Sequence, residues 1–193
     1  DSIAIGDYFL DHHHSKEHRP PEERLSENFP PNAPFQVPYG CLLPKGIDGL
    51  IVAEKSISVS HIVNGCTRLQ PIVMCIGQAA GMAAALCIER NLEPRELDPT
   101  ELQDDLIENG VAVYPYSDLY NSHPCFKAVQ RLAMTGLFPE EEPIEFQPDS
   151  IIDPEAAKEI ETTFELERGE IYRNKTTKGD FFVSLYEAIC GFV

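Results

Sequence analysis

An apolar run over residues 68–88 (RLQPIVMCIGQAAGMAAALCI) constrains the fold of this chain more than any other feature. Apart from its first residue it is uncharged, which predicts one helix that is hydrophobic all round and therefore buried. Pro71 suits the first helical position, and Gln70 precedes it as the predicted N-cap. Gly77 and Gly81 each cost a helix about 1 kcal/mol relative to alanine. We therefore expect another backbone to pack closely against these glycines.

Three interpretations of this helix are open. It is a core helix without a ligand, or it is a membrane span, because the run has the right length and contains a GxxxG, although Gln70, Pro71 and Gln78 interrupt it. The third interpretation is a cofactor helix with a buried start. The N–H groups of Leu69, Gln70 and Ile72 are unpaired within such a helix and lie at the positive end of its dipole, which suits an anion or an electron-rich ring edge. The flanking sequence favours this third interpretation.

Several motifs precede the helix or lie within it, in a fixed order. They are an apolar run at 50–53, Ser58-x-x-His61, Arg68, Pro71 and GQAAG at 77–81. This series resembles the C-terminal end of the FAD-dependent oxidoreductases with a two-dinucleotide-binding-type fold. Residues 6–13 (GDYFLDHH) and 34–45 (PFQVPYGCLLPK) are closest to a bacterial, xanthan-lyase-like subgroup of that family. The resemblance covers about residues 1–110, and several motifs in register are more specific than any one of them.

The resemblance implies a mixed α/β fold. Residues 1–112 are expected to form the C-terminal part of an FAD/NAD(P)-binding Rossmann-like domain, in which residues 2–10 and 50–53 are strands, the second of the buried parallel type. Asp98-Pro99-Thr100-Glu101 predicts the start of a further helix, which Gly110 closes.

Residues 113–193 are expected to form a small, mainly helical domain. The charge is uneven in the same way, with a net charge of −3 over residues 1–90 and −14 over residues 91–193, which favours two units with different surfaces. Helices are predicted over 124–135, from 153 onward and over 177–190. Phrases in this part resemble an S-layer homology module: His123-Pro124, FQPD at 146–149 and TKGDF at 177–181.

The resemblance also implies FAD as the cofactor and names its contacts. The backbone at Leu69, Gln70, Pro71 and Ile72, with Gly77 further along the helix, would line the pyrimidine edge of the isoalloxazine. Their N–H groups would stabilise negative charge at N1 and O2 when the flavin is reduced.

Two side chains are implied as catalytic, and each has a plainer alternative. His61 would move a proton beside the flavin, or is a hydrogen-bonded loop histidine. Arg68 would hold an anionic substrate or the reduced flavin, or forms a structural ion pair. Near the FAD phosphates, Glu54 stands where the family usually has glycine, and its carboxylate must turn away or pair with Lys55.

The function implied is flavin-mediated hydride transfer on an unidentified small molecule. FAD binding in this family needs a G-x-G-x-x-G segment that holds the pyrophosphate, and none of the 12 glycines forms that pattern. We therefore expect this chain, which opens on Asp1, to be the C-terminal piece of a longer flavoprotein whose N-terminal part is its partner, with dimerisation as another way to complete the site. The alternative is a non-catalytic module that binds a polysaccharide or a protein.

Composition sets further bounds. The net charge of −17 argues against nucleic acid and anionic membranes as partners. Six cysteines without a CxxC predict free thiols in a reducing, cytoplasmic compartment. The histidines at 12–14 and 18 are expected to be a solvated turn rather than a metal site, and residues 19–34, rich in proline and charge, to be a linker.

Overall fold

A computed structural model describes residues 1–11, 34–136, 145–166, 169, 171–172 and 176–190. The predicted linker up to residue 33 and the histidines at 12–14 and 18 lie outside these described residues. The chain divides into two compact units, Asp1–Pro115 and Tyr116–Val193. Its fold is mixed, with a small sheet in the first unit and helices in both.

The first unit begins with an antiparallel pair of strands, β1 (Ser2–Gly6) and β2 (Phe35–Pro38). Ser2 pairs with Pro38 and Gly6 with Phe35. The Phe35 ring lies where a side chain at position 6 would be, so any larger residue there would have to displace this ring. A 3₁₀ helix (Tyr39–Leu42) follows β2, and β1 is shorter than the strand predicted over residues 2–10.

The predicted strand over residues 50–53 is wrong. These residues form no strand, and Leu50 is 44% exposed. The N–H of Val52 donates to the carbonyl of Leu42 (2.8 Å), and the carbonyl of Ala53 accepts from the N–H of Ser56 (3.2 Å), which is a local turn and not a strand pairing. An extended run forms a sheet strand only where a neighbouring strand supplies a full set of partners. The Rossmann-like parallel sheet therefore stays a prediction.

Three helices complete the first unit: α1 (His61–Thr67), α2 (Gln70–Arg90) and α3 (Pro99–Glu108). The apolar run does form one helix, α2, which packs on β1 and α3. It ends at Asn91, whose left-handed conformation lets its N–H reach the last carbonyls of the helix. The predicted start of α3 is confirmed, because the Asp98 side chain accepts from the N–H of Thr100 (2.9 Å).

The prediction that α2 has no solvated face is wrong. One side of the helix is buried and includes Ile72, Ile76, Ala79, Ala83 and Leu86. The opposite side is exposed along its whole length, at Gln70, Met74, Gln78, Gly81, Ala85 and Ile88. These positions recur every three or four residues and so share one face. We call this line the open face of α2.

The three predicted helices of the second unit are confirmed as α4 (Phe126–Met134), α5 (Pro154–Thr163) and α6 (Lys178–Cys190). Helices α4 and α6 pack together. The core is aromatic: Phe146 and Phe182 meet edge to face with ring centroids 5.3 Å apart, and Phe181 and Phe182 meet in the same way at 5.5 Å.

Two carboxylates fasten loops to this second core. Asp118 accepts hydrogen bonds from the N–H groups of Phe146 (2.7 Å) and Gln147 (2.6 Å). Glu161 is fully buried and accepts from the N–H groups of three residues of one loop, Gly169, Ile171 and Tyr172. Part of the acidic excess of this unit therefore holds its backbone rather than coating its surface.

Candidate functional site

The junction between α1 and α2 forms the candidate site. Arg68 ends α1, Leu69 is the N-cap of α2, and Gln70 is its first residue, one position earlier than predicted. Within the described residues, no acceptor meets the N–H groups of Leu69, Gln70 or Ile72. The first N–H in α2 to be paired is that of Val73, which donates to the carbonyl of Leu69 (2.9 Å). Three donors at the positive end of a long helix are thus available to an acceptor.

This helix start is open rather than buried, which corrects the prediction. Gln70 and Pro71 are exposed, and Ile72 is buried. The helix packs on β1 and α3 through its buried side, and this leaves Gln70, on the open face, exposed. The exposed part of this helix start, at Gln70, is accessible to a flat group from solvent.

Arg68 and Asp11 form an ion pair. The Arg68 Nη2 lies 2.8 Å from the Asp11 Oδ2, and the two side chains are 37% and 32% exposed. Of the two roles weighed for Arg68, the structural ion pair is present. Binding of an anionic substrate or of reduced flavin stays a prediction.

His61, Gly65 and Arg68 share one face of α1, because they are spaced by four and three residues. His61 is the first residue of this helix and is exposed. The N-cap, Ser60, accepts from the N–H of Val63 (3.2 Å) and fixes where the helix begins. The structure thus brings the two predicted catalytic residues onto one face and adds Asp11, which was not predicted as a site residue.

Glu54 and Lys55 lie in a short 3₁₀ helix (Glu54–Ser56) that packs against α2. Glu54 has φ of +57°, a left-handed conformation that favours glycine. This explains why a glycine suits the position in the family pattern. Both side chains are exposed, and no ion pair joins them in the described structure.

Gly77 does not belong to the helix start. It lies five residues beyond Ile72, so it is displaced by about 7.5 Å along the axis. A β-carbon at Gly77 or Gly81 would meet no described atom within 4 Å. The close backbone packing expected to offset the cost of these glycines is therefore not found among the described residues.

A surface cavity of about 660 Å³ lies at the other end of α2. Apolar groups of Ile51, Ala84 and Ile88 line it together with the carboxylates of Glu93 and Glu96. None of the predicted site residues borders this cavity. Within the described residues, the predicted site thus lies at the helix start and not in this cavity.

All six cysteines are free. Burial raises the pKa of the Cys41, Cys66 and Cys87 thiols. In the second unit, the Cys125 Sγ lies 3.0 Å from the His123 Nδ1, and the His123 Nε2 lies 3.7 Å from the Asp149 Oδ1. Burial raises the pKa of Cys125 to about 11, which disfavours the thiolate that a nucleophilic cysteine needs.

The described residues hold no group of three or more His, Cys, Asp and Glu placed to bind a metal ion. By length and composition alone, α2 is apolar enough to cross a membrane, a property that core helices of soluble proteins share.

The residues present fit one part of FAD. The unpaired donors of Leu69, Gln70 and Ile72 match the acceptor atoms at the pyrimidine edge of an isoalloxazine. The pyrophosphate has no matching segment, because the sequence contains no G-x-G-x-x-G. The fit is therefore to the ring and not to the phosphates.

Comparison with known proteins gives one match. The family model described as FAD dependent oxidoreductase matches residues 1–106. No curated protein and no solved structure matches the chain. FAD is the cofactor that this family implies. More than half of the chain lies within the match, and the chain belongs to the FAD-dependent oxidoreductase family.

Proposed function

We propose that this chain supplies the ring-binding half of an FAD site, in an enzyme that transfers a hydride between a small-molecule substrate and FAD. The observation that carries the proposal is the set of unpaired N–H groups of Leu69, Gln70 and Ile72 at an open helix start. When FAD is bound, its isoalloxazine N5 accepts or donates the hydride, and negative charge gathers at N1 and O2. Backbone donors fixed at that edge stabilise the charge without rearranging.

Two side chains assist on the same face of α1. Arg68 supplies a positive charge directly before these donors, which favours an anion at the same edge. His61 is exposed and accessible to a substrate, so it is the candidate for proton transfer. Lys55, exposed in the 3₁₀ helix that packs on α2, is the candidate to offset the carboxylate of Glu54 near the phosphates.

The pyrophosphate-binding half comes from elsewhere in this proposal. A G-x-G-x-x-G segment, preceding this chain in a longer polypeptide, completes the site. The open face of α2 supports such a partner, because Met74 is 72% exposed and Ile88 is 82% exposed. An apolar helix face of this kind gains free energy when another element covers it. Completion by a second copy of the chain is the alternative.

The test uses riboflavin, which carries the ring without phosphates. Backbone amide NMR signals of the 193-residue chain are followed during titration with riboflavin and, as a control, with ADP, which has the phosphates without the ring. We expect the signals of Leu69, Gln70 and Ile72 to shift with riboflavin and not with ADP. No shift with riboflavin, or the same shift with both ligands, would reject the proposal.

A second candidate function concerns residues 116–193. This unit has its own aromatic core and would serve as a structural or binding module of the S-layer homology type for a polysaccharide or a protein. A chain that binds no flavin but is retained on an immobilised polysaccharide would favour this second candidate. The free thiols suit a reducing, cytoplasmic location for the first candidate.

A further inference from the structure

The backbone of Asp11 packs directly against Gly65. A β-carbon at position 65 would lie 2.6 Å from the carbonyl oxygen of Asp11 and 3.0 Å from its carbonyl carbon. Such distances are far inside van der Waals contact, so only glycine permits this approach. The segment that follows β1 is thus held in close contact with α1 at Asp11.

The side chain of Asp11 uses this fixed position to hold Arg68, at 2.8 Å. Two other ion pairs of the same unit, Arg90–Glu101 (2.7 Å) and Arg95–Asp48 (3.3 Å), join exposed side chains in the ordinary way. The Asp11–Arg68 pair differs from these two. The backbone of Asp11 is in close contact with Gly65, and Arg68 directly precedes the unpaired N–H groups of α2. An exposed ion pair contributes little to stability. The main effect of this geometry is therefore to fix the position of the Arg68 guanidinium.

We propose that Asp11 is a positioning residue that holds Arg68 at the start of α2, so that the arginine favours the reduced, more negative form of the flavin ring. This inference rests on the proposed function. It concerns a preference between two ligand states, which a merely structural ion pair would leave unchanged.

The sign of one substitution separates positioning from simple charge. Asp11→Asn removes a negative charge next to Arg68. If Arg68 stayed in place, the site would become more positive and would favour reduced flavin more strongly. If Asp11 positions Arg68, the arginine moves away and the preference for reduced flavin falls. The two explanations therefore predict opposite changes.

The measurement is the ratio of dissociation constants for oxidised and dithionite-reduced riboflavin, taken anaerobically from the amide shifts of the 193-residue chain. We expect Asp11→Asn to lower the preference for reduced riboflavin about threefold, which is the scale of an exposed ion pair. Arg68→Gln should lower it at least as far, and the double variant no further than Arg68→Gln alone, since the two residues act as a unit. Glu101→Gln, which breaks the matched Arg90 pair, should leave the ratio unchanged.

Each outcome decides something. An unchanged or increased preference in Asp11→Asn overturns the inference and leaves the proposed function standing. Wild-type chain that binds neither form of riboflavin overturns the proposed function and the inference with it. If Asp11→Asn does not fold, Asp11→Glu keeps the charge and displaces Arg68 by one methylene, and it should lower the preference in the same direction.

Discussion

The carboxylate of Glu161 accepts a hydrogen bond from the N–H of Tyr172, eleven residues later, at 2.8 Å. The N–H groups of Gly169 and Ile171 donate to the same carboxylate. A buried anion is tolerated only when its oxygens are fully satisfied, and here three backbone donors do this. Glu161 thus holds residues 169, 171 and 172, which lie between α5 and α6.

Replacing Glu161 with glutamine should destabilise the second unit by about 2–3 kcal/mol. The amide keeps the shape, but it puts an N–H₂ group where backbone donors point, and it loses the charge that strengthens their bonds. The measurement is native-state hydrogen exchange of the amides at 169, 171 and 172. Glu159→Gln, an exposed position on the same helix, is the control and should change exchange little. Equal exchange in the two variants would contradict a stabilising role for the hydrogen bonds to Glu161.

Acid should loosen the same loop. Burial opposes ionisation of Glu161, but the N–H groups of Gly169, Tyr172 and Ile171 outweigh it and hold the pKa below the usual value of 4.5. Because the folded pKa is depressed, the stabilisation is present above the unfolded pKa and is lost as the pH falls below about 4.5 through the folded pKa. Protection of the amide at residue 172, measured relative to its intrinsic exchange rate at each pH, should fall across this range in the wild type and depend less on pH in Glu161→Gln. Parallel pH curves for the two proteins would argue against the assignment.

Helix starts were predictable from the sequence because capping is local. Asp98-Pro99 and Asp153-Pro154 place a side-chain acceptor and a proline at the first turn, and both helices begin there in the structure. The family motifs likewise located the α1–α2 junction. Helix α1 itself was not predicted, because its seven residues show no apolar periodicity.

The features that the sequence did not predict depend on contacts between residues far apart in the chain. Residues 50–53 have the composition of a strand, but pairing requires a neighbour that composition does not reveal. The open face of α2 carries large apolar residues, Met74 and Ile88, beside its two glutamines, so hydrophobicity alone did not show which side meets β1. The pairing of Arg68 with Asp11, which are 57 positions apart, was equally invisible. No alternation or spacing encodes a contact of that range.

Two glycines of the first unit should respond oppositely to alanine. At Gly77 a β-carbon meets no described atom, so Gly77→Ala should stabilise α2 by about 1 kcal/mol. At Gly65 the β-carbon would collide with the backbone of Asp11, so Gly65→Ala should destabilise the unit by at least a comparable amount. Urea unfolding followed by far-ultraviolet circular dichroism compares the two variants. Stabilisation by both substitutions would show that the backbone of Asp11 does not pack against Gly65.

Cys125 should be inert despite its histidine neighbour. Its thiol is buried, and its pKa is raised to about 11, so very little thiolate is present at pH 8. Cys190 is exposed and serves as the internal reference. We expect iodoacetamide to label Cys190 at least tenfold faster than Cys125, measured by peptide mass spectrometry. Labelling of Cys125 at a similar rate would mean that His123 activates it.

The start of α2 offers a substitution that removes one donor with little other change. Proline is favoured in the first turn of a helix, and the residue before it must be extended, which Leu69 already is, with φ of −72° and ψ of 142°. Gln70→Pro therefore deletes the N–H of residue 70 while keeping the helix. Gln70→Ala is the matched control, because it removes the same side chain and keeps the N–H.

If the backbone donors bind the flavin ring, Gln70→Pro should weaken riboflavin binding about fivefold, equivalent to about 1 kcal/mol for one hydrogen bond. Gln70→Ala should bind as the wild type does. Equal weakening in both variants would assign the contact to the glutamine side chain, and no weakening in either would remove residue 70 from the site.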